Sequence, residues 1–223
     1  MSKLLDEISK YLKKNKKLCE AATRQIYLSS AYTAMIISMY AHRNQKRENG
    51  EKYYLHPTRV LWLYRVAIGI DDDYPRFYDI DLMHECNIPF EGVQEVCLLH
   101  DVIEDTNITI EDIENIFIES FLGDYFNNYI KEPLLLITHD KSDDYDTYIE
   151  KVMKHPISSL VKLMDLVDNS KVSTLKTFGE KEYNRTLGYI RYAKKINDSY
   201  HYIENFEKYR RLFKMKKENK KRD

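Results

Sequence analysis

Glycine and proline are both scarce in this chain, 6 and 5 in 223 residues, which argues against a turn-rich β architecture and for helices. Cysteine is scarcer: Cys19, Cys86 and Cys97 are odd in number and form no CxxC pair, so no disulfide framework is expected. They read as reduced core or surface thiols of a cytoplasmic protein. Charge of one sign is missing too. The formal net charge is −1, which gives no global basic field to recruit nucleic acid. No apolar run approaches the roughly 18–20 residues of a membrane span. Met1 to Glu20 alternates lysine with leucine and lacks the apolar segment of a secretory signal.

What is present is a single soluble-type domain of 223 residues, long enough to bury a core without covalent staples. Helical spacing runs through 3–19 (Leu4, Leu5, Ile8, Leu12, Leu18), 30–42 (Tyr32, Met35, Ile36, Met39, Tyr40) and onward from Pro57, which suits a first helical turn. A helix over 92–104 follows, and Thr109 with Asp112 begins the next by a capping pattern. Further helices are predicted at 124–137, 145–153, 156–168 and 183–214. The last carries a tyrosine-rich packing stripe through Tyr189, Tyr192, Ile196, Tyr200, Ile203 and Phe206. Residues 69–89, punctuated by Gly69, Asp71-Asp72-Asp73, Pro75 and Pro89, read as an insertion with little regular structure. The architecture expected is all-α.

Chemistry concentrates in three places. LLHDVIEDT (98–106) puts His100 with Glu104, and Asp101 with Asp105, four residues apart on shared faces of one apolar helix. Buried acids and imidazoles are costly unless a metal or a partner compensates them. His56 stands alone at a loop-to-helix junction, and Asp165 lies among Leu163, Met164, Leu166 and Val167. Two imidazoles and two carboxylates form a mixed N/O set suited to Mn²⁺, Fe²⁺ or Zn²⁺. Taken singly each has another reading: His56 as a helix cap, Asp165 paired with Lys162, His100-Asp101 as a hydrogen-bonded pair.

The order His … His-Asp … Asp resembles that of the HD-domain metal-dependent phosphohydrolases, and within them the RelA/SpoT-type hydrolase domain. AHRNQKRENGEKYYLHP (41–57), LLHDVIEDT (98–106) and KLMDLVDN (162–169) carry the resemblance, which covers about residues 25–200. It implies an HD-domain helical bundle and a small stand-alone hydrolase. It implies a metal, Mn²⁺ first among the candidates, held by His56, His100, Asp101 and Asp165. Glu104 and Asp105 become the acidic pair that orients or deprotonates the attacking water. Arg47, Tyr53, Asn169, Arg185 and Tyr189 become the lining of a nucleotide pocket. Lys52 joins them as a further cation by its position in the sequence.

Departures from the family touch substrate recognition and spare the metal set. His56 and His100 are 44 residues apart, more than is usual, and the excess falls on 69–89. Glu48 stands where a basic residue is common. Leu166, Val167 and Val172 also replace customary residues. The implied activity is removal of the 3′-pyrophosphate of guanosine tetra- or pentaphosphate. The alternatives are hydrolysis of another phosphorylated nucleotide (the 2′-phosphate of NADPH, or a nucleoside monophosphate) and a non-catalytic nucleotide-binding module. The partner expected is a small nucleotide, with neither nucleic acid nor membrane.

Overall fold

Apolar periodicity becomes helix after helix in the computed structural model, which describes residues 3–17, 29–69 and 78–219. In chain order these are α1 (Lys3–Lys14), α2 (Ser29–Ala41), α3 (Leu55–Ala67), α4 (Ile80–Glu85), α5 (Val93–Leu99), α6 (Val102–Asp105) and α7 (Ile110–Glu119). Then come α8 (Gly123–Tyr129), α9 (Lys131–Ile137), α10 (Tyr145–Val152), α11 (Pro156–Asn169), α12 (Glu180–Tyr200) and α13 (Tyr202–Asn219). Among the described residues the β structure amounts to one isolated antiparallel bridge, Lys46 to Lys52. No described helix is long and apolar enough to cross a membrane.

The centre of the bundle is α2, α3, α5 and α11. Helix α5 packs on α2, α3 and α11, and α3 on α11. Val96, Cys97, Leu98 and Leu99 of α5 are fully buried, as are Leu160, Val161 and Leu166 of α11. At about 25 cal/mol per Å² of apolar surface withdrawn from water, such side chains are the main stabilising term. The entry to α5 requires glycine. Gly92 has φ +76, and a Cβ there would lie 2.2 Å from the carbonyl oxygen of Tyr129. Cys86 and Cys97 are buried free thiols whose pKa values burial pushes up.

Four expectations need correction. The helix over 92–104 is interrupted at His100-Asp101, where Asp101 adopts φ −95, ψ −6, so the motif bends between α5 and α6. The stretch 124–137 is two helices, broken at Ile130 (φ −115), three residues before Pro133. The long C-terminal helix divides at His201, which takes a left-handed conformation (φ 54), and Ile203 turns outward, 53% exposed. The segment 69–89 is not without regular structure. It holds α4, whose N-cap Asp79 accepts from the amide of Leu82 at 3.1 Å, and which packs on α13. The acidic triplet Asp71–Asp73, like Leu18 and Cys19, lies outside the described residues. The capping box at the start of α7 is present in both directions, Thr109 to Asp112 at 3.2 Å and back at 3.1 Å.

Candidate functional site

Three central helices deliver the titratable cluster. Helix α3 supplies His56 from its first turn, the bend after α5 supplies His100 and Asp101, and α11 supplies Asp165 from its buried face. His56 does not cap its helix; its side chain turns inward with 1% exposure. Nδ1–H of His56 donates to Asp168 Oδ2 at 2.7 Å, and Nδ1–H of His100 donates to the carbonyl of Cys97 at 2.9 Å. A carbonyl oxygen only accepts, so His100 carries a proton on Nδ1 and turns Nε2, a lone pair whenever the ring is neutral, inward toward the carboxylates.

Both Nε2 atoms meet the carboxylates. His56 Nε2 is 3.0 Å from Asp165 Oδ1 and 3.4 Å from Asp101 Oδ2. His100 Nε2 is 3.2 Å from Asp101 Oδ1 and 3.6 Å from Asp165 Oδ1. Ligand atoms about 2.0–2.2 Å from one cation sit roughly 3 Å apart when at right angles, so these separations suit a shared ion. One donor atom each from His56, His100 and Asp101 lies within 4.8 Å of the others. His100 Nε2 is buried and makes no hydrogen bond within the protein. On donor chemistry and geometry the residues fit a divalent cation.

Electrostatics agree. Burial opposes charge on His100, but Asp101 and Asp165 outweigh it and raise its pKa well above the ordinary range. Burial likewise opposes charge on His56, and its bonds to Asp165 and Asp168 raise the pKa. Burial works to raise Asp101 and Asp165, yet His100 holds the first well down, and Lys162 with both imidazoles the second. Lys162 Nζ is 2.9 Å from Asp165 Oδ2. Pairing with lysine and facing the imidazoles are therefore compatible, because each uses a different oxygen of Asp165.

The acidic pair divides. Glu104 turns inward, its Oε2 accepting from the amide of His139 at 3.1 Å, and burial, with Asp101 and Asp105, raises its pKa. Asp105 is exposed and lines a separate cavity of about 650 Å³ with Lys3, Glu7, Arg43, Gln45 and Asp112. Tyr53 stands between the two sides: its hydroxyl donates to Asp101 Oδ2 at 2.9 Å, and its ring packs edge-on to His56 at 5.8 Å. Burial, then Asp101 and Asp105, holds its phenol above the ordinary range.

Arg47, Tyr53, Asn169, Arg185 and Tyr189, from three separate stretches of sequence, line one cavity of about 260 Å³ together with Lys46, Glu48 and Leu175. Arg47 donates to Asn169 Oδ1 at 2.5 Å, and Asn169 Nδ2 donates to Asp165 Oδ1 at 2.6 Å, which joins this cavity to the cluster. Arg185 lies 4.0 Å from Glu48. Lys52 is not brought to the cavity; it lies exposed beyond the bridge to Lys46, its ammonium 6.0 Å from the Tyr54 ring.

Sequence reasoning missed Asp168. It is fully buried and receives His56, Arg59 at 2.9 Å and Lys171 at 2.8 Å, while Arg47 approaches to 3.7 Å. Burial raises its carboxyl, and His56, Arg59 and Lys171 more than reverse this. The available signal was spacing: Asp168 is three residues after Asp165, as Arg59 is three after His56, so each pair shares a helix face. Arg59 also grips Glu51 at 2.8 Å. Lys46 was missed as well, adjacent to a residue that was named.

No protein-family model matches the chain. Similar curated proteins include a guanosine-3′,5′-bis(diphosphate) 3′-pyrophosphohydrolase of Aquifex aeolicus, 28% identical over 195 residues, which cover 80% of this chain and 25% of that protein. The pyrophosphohydrolase MESH1 of Drosophila melanogaster is 28% identical over 167 residues, 72% of this chain and 78% of that one. The bifunctional (p)ppGpp synthase/hydrolase SpoT of Escherichia coli is 25% identical over 158 residues, 71% of this chain and 18% of that protein. The chain thus spans about a quarter of the Aquifex protein and most of the Drosophila one. A solved structure described as a metazoan orthologue of SpoT that hydrolyses ppGpp superposes with a TM-score of 0.53 at 23% identity, covering 85% of this chain and 97% of that one. In sequence and in its all-α HD-domain fold, the chain is similar to the RelA/SpoT-type hydrolases.

Proposed function

We propose that this protein is a metal-dependent guanosine-3′,5′-bis(diphosphate) 3′-pyrophosphohydrolase acting in the cytoplasm, with manganese as the working metal. The observation that carries it is the contact between two constellations. His56, His100 and Asp101 offer donor atoms within 4.8 Å of one another, and Asp165 Oδ1 lies 3.0 Å from His56 Nε2. Asn169 links Asp165 to the cavity that Arg47, Tyr53, Arg185 and Tyr189 line. The named activities of the similar proteins support the same reading.

His56, His100, Asp101 and Asp165 would hold the cation, which when bound supplies Lewis-acid chemistry: it offsets phosphate charge and acidifies a water. The chain's own residues do the rest. Arg47 and Arg185 offer planar forks to phosphate oxygens, and Lys46 adds a third cation. Tyr53 and Tyr189 offer ring faces to the base or ribose, with Leu175 beside them. Glu104, whose pKa burial raises and which is thereby made a stronger base, accepts a proton from the attacking water. Water oxygen joins the 3′-proximal phosphorus as Glu104 takes its proton, and the bond from that phosphorus to the 3′ oxygen breaks. The 3′ oxygen takes up a proton from solvent to become the hydroxyl of GDP, and GDP and pyrophosphate leave.

Glu48 favours a second reading, a less charged substrate. It is the one acid in the lining of this cavity and faces Arg185. A panel of ppGpp, NADPH and GMP, each with Mn²⁺, separates the two. The proposal expects ppGpp to have the highest kcat/KM with pyrophosphate as product. Ready cleavage of NADPH or GMP with ppGpp left intact overturns it.

A further inference from the structure

His42 is fully buried, lies outside the metal set, and takes no part in the chemistry described above. Its ring packs against that of Tyr53 at 4.9 Å. Its Nδ1 meets Gln45 Oε1 at 2.5 Å, and Gln45 Nε2 donates to the main-chain carbonyl of Asp105 at 2.7 Å. That carbonyl can only accept, so the Gln45 amide has one permitted orientation: nitrogen to Asp105, oxygen to His42. An oxygen facing His42 needs a donor, which puts the imidazole proton on Nδ1. Nε2 is left as a buried lone pair without a partner.

The carbonyl that Gln45 reaches closes α6, a helix of four residues. So short a helix leaves its last carbonyls without partners of their own, and its backbone is anchored by few bonds. Yet α6 carries Glu104 and Asp105. On the inner side the amide of His139 holds Glu104 at 3.1 Å. On the outer side the hold comes from Gln45, sixty residues earlier in the chain.

We propose that His42 and Gln45 are positioning residues: a His42–Gln45–Asp105 relay that clamps the acidic turn so that Glu104 stays aligned with the metal centre. His42 touches neither substrate nor cation in this role. It fixes the amide of Gln45, and Gln45 fixes the backbone of the turn. Tyr53 braces the same assembly, since its amide donates to the carbonyl of Gln45 at 3.1 Å while its hydroxyl holds Asp101. The consequence for catalysis rests on the proposed hydrolase reading, whereas the clamp itself does not.

The test therefore has two readouts on the full chain. The first is hydrogen exchange of the backbone amides of 101–107, measured by mass spectrometry with Mn²⁺ present and no substrate. The second is kcat and KM for ppGpp. His42→Phe keeps a ring but removes the donor; Gln45→Glu keeps the shape but removes the N–H. Both should quicken exchange in the acidic turn about tenfold or more. Both should lower kcat by about 10- to 100-fold, the scale of a small misplacement of a reacting group, with KM and Mn²⁺ affinity within about twofold of the parent. His42→Asn, whose Nδ2–H can take the place of Nδ1–H, should restore both readouts. The His42→Phe/Gln45→Glu double variant should be no worse than either single one, because the relay acts as one unit. Exchange unchanged in Gln45→Glu overturns the clamp whatever the substrate proves to be. Faster exchange in the two single variants, with a parent protein that does not cleave ppGpp, upholds the clamp and overturns the hydrolase reading instead.

Discussion

Asp168 Oδ2 accepts the Nδ1–H of His56 at 2.7 Å, and that bond decides which imidazole nitrogen faces Asp101 and Asp165. Partners of this kind set both the tautomer and the basicity of a ligand, and losing one typically costs 10- to 100-fold in metal affinity. Asp168→Ala should therefore weaken Mn²⁺ binding by about 10- to 100-fold. It also leaves Arg59 with Glu51 alone, so the metal-free protein should lose stability as well. Calorimetric titration of the metal-free protein checks the first effect and thermal unfolding the second. An affinity equal to the parent's would remove Asp168 from the centre.

The pH dependence has a definite sign. His56 and His100 have raised pKa values in the metal-free protein. Their contribution to its stability is complete below the ordinary histidine pKa of about 6.5 and is lost as pH rises through the raised values. Asp101, Asp165 and Asp168 are depressed, so theirs is present above an ordinary carboxyl pKa of about 3.9 and lost only as pH falls through the lower values. The metal-free protein should be most stable under mildly acidic conditions. Mn²⁺ should stabilise it increasingly toward alkaline pH and release protons on binding. Melting curves from pH 5 to 9, with and without Mn²⁺, read this directly. Metal stabilisation that grows as pH falls contradicts it.

The two acids of the bend separate by role. Glu104→Gln keeps the bond from the His139 amide but cannot accept a proton. It should retain metal and ppGpp binding while kcat falls by about 10²- to 10⁴-fold. Asp105→Asn, on the exposed side of the turn, should cost less. A Glu104→Gln protein with unchanged turnover would pass the proton-accepting role to Asp105.

How far all this could be read from sequence depends on the range of the signal. The capping box of Thr109 and Asp112 spans three residues, and the apolar periods of α2 and α11 span one helix, so both are legible locally. The division at His201 is not, because a left-handed histidine carries none of the signal that glycine would give. Pro133 is the local trace of the break between α8 and α9, since proline fits the first turn of a helix and not its interior. Within the site, the structure brings His56, His100, Asp101 and Asp165 to the cluster and Arg47, Tyr53, Asn169, Arg185 and Tyr189 to the cavity. Glu104 is held by the His139 amide, Asp105 lies on the exposed side, and Lys52, named by its sequence position, reaches neither. The resemblance did not name Asp168, Arg59 or Gln45, whose bonds to the site, Asp168 with His56 and Arg59 and Gln45 with the Asp105 carbonyl, span 60 or more residues. Long-range hydrogen bonds leave no periodic trace.

Glu48 gives a prediction about charge. Glu48 and Arg185 are both partly exposed and 4.0 Å apart, so their pairing contributes little to stability. The carboxylate still sits where a pyrophosphate would arrive. Glu48→Lys should raise kcat/KM for ppGpp by about 2- to 5-fold at low salt. The gain should shrink as ionic strength rises. An unchanged or lower value would show that Glu48 assists binding.

One measurement bears most directly on the claim that a single cation held by His56, His100, Asp101 and Asp165 drives pyrophosphate removal. Metal-free protein is titrated with Mn²⁺ while pyrophosphate release from ppGpp and bound metal are both followed, for the parent chain and for His100→Ala. The parent should gain activity in proportion to bound metal up to one ion per chain, with GDP and pyrophosphate formed one to one. His100→Ala should show neither tight binding nor release. Pyrophosphate release that persists without metal, or a His100→Ala protein that still binds one Mn²⁺ tightly, would contradict it.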